Sequence, residues 1–214
     1  MINMLKSRMG YLKYVRSRIQ HSPFIRTILD VLAKIGIEID PYYLVAEGLF
    51  DDTIPHIEAG SYEYELGFLS PKDMKAISAI PNRIFSEEQL LLRLREGKIC
   101  FGAKHRGNIA AFTWCDLDEC HYKGYKFPMK TDEAYLFDAY TLDSFRGKGL
   151  APYIRYQLYK ELEKTGRMNL YSISERFNLS SIRFKKKLNA RLVGQGLCVL
   201  LFKKWRFSTR LKKL

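Results

Sequence analysis

The sequence predicts an α/β (α+β) fold built around one mixed β-sheet. Three observations predict it. From Tyr62 onward, short β-prone apolar runs alternate with helical patterns in the order β-α-α-β-β-β-α-β-α-β-β. Hydrophobic residues make up 47% of the 214, enough for a proper core. Residues 1–59 follow a different grammar, two amphipathic helical stretches and then an extended run, which marks an N-terminal appendage.

Taken in order, residues 4–20 set Leu5, Met9, Leu12, Val15 and Ile19 at helical spacing, with Lys6, Lys13, Arg16 and Arg18 between them. This basic amphipathic helix suits packing on its own domain or lying on an anionic membrane surface. Ser22, Pro23 and Gly36 punctuate a second helix, with Ile25, Ile28, Leu29, Leu32 and Ile35 as its stripe. Residues 37–50 read as partly extended and 51–61 as a connector. Tyr62–Leu69 reads as a strand. Ser70-Pro71-Lys72-Asp73 and Ser86-Glu87-Glu88-Gln89 open two capped helices, the second closed by Gly97. Ile99–Lys104 and Ile109–Cys115 form a hairpin through residues 105–108. Asp116–Asp132 reads as a long loop with Tyr122, Tyr125 and Phe127 available to a substrate. Ala134–Leu142 is a strand, Leu150–Lys164 a helix, Met168–Ser174 a strand and Leu179–Leu188 a helix. Ala190–Lys203 is expected as a hairpin turning at Gly194-Gln195-Gly196.

Composition narrows the function. No run of about 18 apolar residues exists to span a bilayer, and charges interrupt the N-terminus too often for a secretory segment. Cys100, Cys115, Cys120 and Cys198 are too scattered for a disulfide framework, which favours a reducing, cytoplasmic setting. Cys115, Cys120 and His121 do not complete a four-ligand zinc set, so no metal is expected. The net charge of +13 is unevenly placed. Residues 1–20 hold five basic side chains and no acid, residues 21–141 hold 13 basic and 19 acidic, and residues 142–214 hold 18 basic and four acidic. Basic ends attract phosphate in some form: nucleotide, nucleic acid or lipid headgroup.

The chemistry is concentrated at residues 141–151. A strand ends near Thr141 and Leu142, and Arg146-Gly147-Lys148-Gly149-Leu150-Ala151 leads directly into a helix. The first N–H groups of a helix lack internal acceptors and carry the positive end of its dipole. Gly147 and Gly149 let backbone approach a phosphate, Ala151 is small, and Arg146 and Lys148 add charge. The nucleotide-binding patterns G-x-x-x-x-G-K-S/T and G-x-G-x-x-G are both absent.

Residues 146–151 resemble the acyl-CoA pyrophosphate loop of the GNAT N-acetyltransferase superfamily, Gln/Arg-x-x-Gly-x-Gly/Ala. Residues 178–190, from Asn178 through Ser181, Phe184 and Lys185 to Asn189-Ala190, resemble that family's downstream Asn-x-x-Ala/Ser segment. The resemblance covers roughly Tyr62 to Trp205. It implies a central mixed, mostly antiparallel sheet flanked by helices, with an extra N-terminal helical segment, and a division into an appendage (1–59), an acyl-CoA acyltransferase domain (60–205) and a basic tail (206–214). It further implies acetyl-CoA or another acyl-CoA as co-substrate, bound by Thr141, Leu142, Arg146, Gly147, Lys148, Gly149, Leu150, Ala151, Asn178 and Ser181 in a split between the strands at 134–142 and 168–174. The family commonly has a Tyr, able to protonate the leaving thiolate, where this chain has Lys185, which reads as a surface or phosphate-facing cation.

The acceptor is an unidentified amine. The candidates for catalytic base are Tyr135, on one face of its strand with Phe137, and Asp138, on the opposite face unless a bulge intervenes, with Glu133 and Tyr140 as further options. Other readings are a basic nucleic-acid-binding module without catalysis, or an acyltransferase peripheral to the inner membrane surface acting on a lipid or envelope-sugar precursor. A homodimer is compatible with all of these.

Overall fold

The computed structural model describes residues 23–50, 54–57, 63–81 and 83–213. The basic helix expected at 4–20 and the Ser22 cap lie outside the described residues. In chain order the elements are α1 (Pro23–Lys34), β1 (Ile37–Glu47), β2 (Glu65–Phe68), α2 (Pro71–Ser78), α3 (Glu87–Arg95), β3 (Ile99–His105), β4 (Asn108–Asp116), β5 (Glu119–Tyr122), β6 (Tyr125–Pro128), β7 (Glu133–Thr141), α4 (Leu150–Glu163), β8 (Asn169–Glu175), α5 (Leu179–Lys186), β9 (Arg191–Leu201) and β10 (Trp205–Lys213).

Eight strands form one sheet in the order β10-β9-β1-β8-β7-β4-β3-β2. Among the described residues β7 and β8 are its one parallel pair; the other neighbours are antiparallel. Helix α4 covers one face, where Leu136, Tyr159, Leu162 and Leu170 meet. Helices α2 and α3 cover the other, burying Met74, Ile77 and Leu90 against Phe112 and Trp114. Both helices begin as their residues dictate. The Asp73 carboxylate accepts the Ser70 N–H at 2.8 Å, and Ser86 and Gln89 cap each other reciprocally at 2.9 and 3.3 Å.

The N-terminal segment departs from expectation. Residues 37–47 are an inner strand of the sheet, paired with β8 on one side and β9 on the other, so β1 belongs to the same sheet as the elements after residue 60. Tyr42, Tyr43, Leu44 and Val45 are buried in succession, as a strand covered on both faces requires. Residues 206–213, expected as a tail, form most of the edge strand β10. On α1 the anticipated buried stripe is only partly covered: Ile28 and Ile35 are exposed.

Two loops are also reassigned. The glycines at 194 and 196 sit inside a continuous β9, and the turn falls at 202–204, where Phe202 and Lys203 adopt positive φ. Gly196 serves side-chain packing instead: a Cβ there would collide with the ring of Tyr42, its partner on β1. Residues 119–128 form the hairpin β5–β6 rather than an open loop. Tyr122 and Tyr125 pack on Tyr42 with ring centroids 5.4 and 5.8 Å away. These aromatics are anchored to β1, because apolar rings gain more from one another than from water.

Candidate active site

The parallel pairing of β7 and β8 runs only from Glu133–Asn169 to Leu136–Ser172. Beyond that point the strands part. The cause lies in β7, where the stretch from Phe137 to Tyr140 faces only Phe112 to Trp114 of β4, a bulge of one extra residue. Asp138 absorbs the bulge with φ of +43°. The split is a cleft of about 590 Å³, lined by Leu136 to Thr141 on one side and Ser172, Ile173, Asn178, Ser180 and Ser181 on the other.

At the open end of β7, the Leu142 N–H donates to the Ala110 carbonyl at 3.0 Å. By alternation along the strand the Thr141 N–H turns towards the cleft. Of the two residues expected to offer a backbone donor there, Thr141 is available and Leu142 is already engaged. Arg146 folds back over this turn: its Nε donates to the Thr141 carbonyl at 3.0 Å and its Nη1 lies 2.8 Å from Asp143. Arg146 and Ala151 line the cleft.

The two glycines differ. Gly147 has φ of +85° and open space where a side chain would stand. Gly149 takes the αL conformation directly before α4, but a Cβ on it would strike the carbonyl oxygen of His56. Gly149 thus makes room for the chain at 56–57, and the space beside Gly147 is open. Leu150, expected among the contacts, is a core residue packed with Ile154. Lys148 lies over the Phe145 ring, 5.6 Å from its centroid. Asn178 accepts the Ser181 N–H at 3.0 Å and so caps α5, and the Ser181 hydroxyl meets that of Ser174 at 2.8 Å.

The two candidate bases are placed differently: Asp138 lines the cleft and Tyr135 does not. Tyr135 is buried, stacked on Phe137 at 5.6 Å, and absent from the cleft lining. Burial, with Cys120 and Tyr122 beside it, pushes its phenol well above the usual value. The bulge swings Asp138 onto the α2–α3 side, where Arg83 grips both carboxylate oxygens at 2.9 and 2.8 Å and Arg93 adds a bond of 2.7 Å. Arg93 itself lies over Phe85, 4.0 Å from the ring centroid. Both oxygens of this carboxylate are thus taken up by guanidinium bonds. Its structural role predicts that Asp138→Asn lowers stability by about 1–3 kcal/mol, measured by urea denaturation, and leaves the pH dependence of turnover unchanged. A vanished limb in the rate profile would restore Asp138 as base.

The sequence reading overlooked a buried ionic cluster at the closed end of the cleft. Glu47 (1% exposed) ends β1, Arg155 (2%) is on α4 and Lys185 (6%) is on α5. The Glu47 carboxylate accepts from Tyr159 and Ser172 and lies 3.7 Å from both Arg155 and Lys185. Burial alone would raise its pKa, but Arg155 and Lys185, with both hydroxyls, bring it below the ordinary value. For Lys185 burial wins: its ammonium is brought down to about 8, against the pull of Glu47. Lys185, expected as a surface or phosphate-facing cation, is buried and lines the cleft with Arg155. The overlooked signals were charges inside apolar runs: Glu47 after Tyr43-Leu44-Val45-Ala46, and Arg155 beside Ile154.

No family model and no curated protein matches the sequence. Solved structures do. A GNAT-family protein from Novosphingobium aromaticivorans superposes with a TM-score of 0.54 at 18% identity over 78% of this chain. A GNAT-family acetyltransferase from Colwellia psychrerythraea gives 0.56 at 15% over 79%. A tandem GNAT protein from the clavulanic acid biosynthesis pathway gives 0.54 at 14% over 86%. The chain has the GNAT fold. It spans 67, 59 and 58% of those three proteins' own lengths. The mixed, mostly antiparallel sheet flanked by helices is the GNAT arrangement expected from the sequence. In this chain β1 lies between β8 and β9, and with β1 comes Glu47.

Proposed function

We propose that this chain transfers an acyl group, most simply acetyl, from acyl-CoA to a primary amine by direct attack. The observation that carries this reading is the cleft between β7 and β8. It runs from Arg146 and Ala151, which flank the glycine turn before α4, to Ser172 and Lys185. Two strands that part leave backbone donors and acceptors facing each other, a slot that suits the extended, amide-bearing arm of CoA. The residues present fit such a co-substrate: Gly147 has an unfilled space before the helix, and Arg146 and Lys148 supply positive charge.

In this reading the Gly147 turn and the first N–H groups of α4 hold the diphosphate, while Thr141 orients the arm and its N–H faces the carbonyl that gains charge during attack. Holding the amine beside the thioester supplies much of the acceleration. The surplus proton of the attacking amine leaves through water, since Tyr135 does not line the cleft and both Asp138 oxygens are held by Arg83 and Arg93.

Calorimetry with acetyl-CoA, CoA and longer acyl-CoAs tests the reading. Saturable binding, with a preferred chain length, is expected. Gly147→Val should weaken it at least about tenfold, roughly 1.4 kcal/mol, because valine resists positive φ and fills the space before the helix. No binding by any of these ligands would end the proposal.

A further inference from the structure

We propose that the cavity behind Lys185, enclosed by β1, the end of β8, α5 and the start of β9, binds a small monocarboxylate with a short branched aliphatic body. It has a volume of about 250 Å³ and shares only Lys185 with the cleft between β7 and β8, so it is a separate site. It requires nothing of the acyl-transfer reading.

The polar groups call for an anion. Of the nine residues around the cavity, Arg176, Lys185 and Lys186 are cationic and none is anionic. Two of these cations carry a buried nitrogen with no hydrogen-bond partner, Nε of Arg176 and Nζ of Lys185, and Lys185 is only 6% exposed. Both side chains are donors only, so neither can satisfy the other. The Ser174 hydroxyl beside them is taken by Ser181. Glu47 stands 3.7 Å from Lys185 and is shared with Arg155, Tyr159 and Ser172. Glu47, Arg155 and Lys185 together carry one excess positive charge, and Arg176 adds to it. Buried charged donors without acceptors are strongly unfavourable. A bound carboxylate supplies acceptors and opposite charge at once, whereas water supplies only the first.

The walls select the rest of the ligand. Val45 is buried, and Ile182 and Leu192 extend its apolar surface; the exposed Leu192 and Lys186 mark the side open to solvent. A liquid water occupies about 30 Å³, so the cavity has room for roughly eight non-hydrogen atoms. A carboxylic acid of about five carbons fits that size. Inorganic phosphate would satisfy the cations but leave the apolar walls empty.

The charged and titratable groups around Lys185 are Glu47 and Tyr43 of β1, Arg155 and Tyr159 of α4, Arg176 just beyond β8, and Lys186 of α5. Burial, against the pull of Glu47, brings the Lys185 ammonium down to about 8. The carboxylate favours the protonated form, so its affinity should be level between about pH 6 and 7.5 and fall as pH rises past 8.

The test is a methyl NMR titration of the full chain, without acyl-CoA, using 3-methylbutanoate, its neutral isostere 3-methylbutanamide, and inorganic phosphate. The acid should shift the Val45, Ile182 and Leu192 methyl signals saturably, with a Kd on the order of 1 mM, ordinary for so small a ligand. The amide and phosphate should each bind at least about tenfold more weakly. Arg176→Gln should weaken the acid about tenfold and leave the amide unchanged, a difference that a disturbed fold would not produce. Leu192→Trp keeps every charge but fills the open side, and should abolish the shifts. Acid and amide binding alike would overturn the proposal in favour of a plain apolar cavity. Phosphate binding as tightly as the acid would overturn the monocarboxylate in favour of a general anion patch. No saturable shift up to about 50 mM, or unchanged acid binding by either variant, would overturn the site itself.

Discussion

Glu47→Ala should lower the unfolding free energy by about 3–5 kcal/mol, the range for removing one partner of a buried ion pair. Glu47 is the sole anion of its cluster, so its loss leaves Arg155 and Lys185 as two buried cations with no opposite charge. It also removes the acceptor of both Tyr159 and Ser172. Because Glu47 comes from β1, the strand between β8 and β9, the damage should reach the whole sheet. Urea denaturation measures it; a loss under about 1 kcal/mol, the scale of an exposed pair, would mean the cluster is not closed to water.

The same cluster sets a pH signature. The Glu47 pKa is lower folded than unfolded, so its stabilisation is present above its unfolded pKa and disappears as pH falls through the folded one. For Lys185 the folded chain releases its proton near 8 and the unfolded chain near 10.5. Between those values the unfolded state holds more protons, so stability contributed at this residue rises with pH. Denaturation midpoints should therefore carry a rising component from pH 8 to 10.5 that Lys185→Met lacks.

The second large effect is expected at Gly149. Gly149→Ala combines an αL conformation that a side chain resists, about 1–2 kcal/mol, with a Cβ placed against the His56 carbonyl. The loss should be at least about 2 kcal/mol, since backbone at 56–57 must move. Gly147→Ala also has positive φ but meets nothing, so it should cost only about 1–2 kcal/mol. Thermal unfolding of the two variants compares them directly. Equal losses would show that the 54–57 segment does not rest on Gly149. The same contact makes Gly147 the better probe of anion binding, because a bulky residue at 149 would disturb the protein before any ligand arrived.

Much of the scaffold was legible without coordinates. Ser70 and Ser86 cap the helices they were expected to cap, and the strand-loop-helix junction at 141–151 falls where the Gly147 and Gly149 punctuation put it. The split between β7 and β8 was implied only by the family resemblance, and its cause, the bulge at Asp138, has no local signature. Glycine was misleading at 194–196, where it accommodates Tyr42 from another strand rather than a turn. The actual turn at 202–204 contains no glycine.

What the sequence by itself determined is the capped helices, most of the strands between residues 65 and 175 and the strand-loop-helix junction at 141–151, because capping residues, period-two runs and glycines act on neighbours a few positions away. The tertiary structure alone decided that residues 37–47 enter the middle of the sheet, that Asp138 belongs to two arginines, and that Lys185 turns inward. Each outcome depends on partners far along the chain: Glu47 and Lys185 stand 138 positions apart. A charge buried against a distant opposite charge looks, in sequence, like any surface charge. Its pKa and its chemistry are set only when folding takes both out of water together.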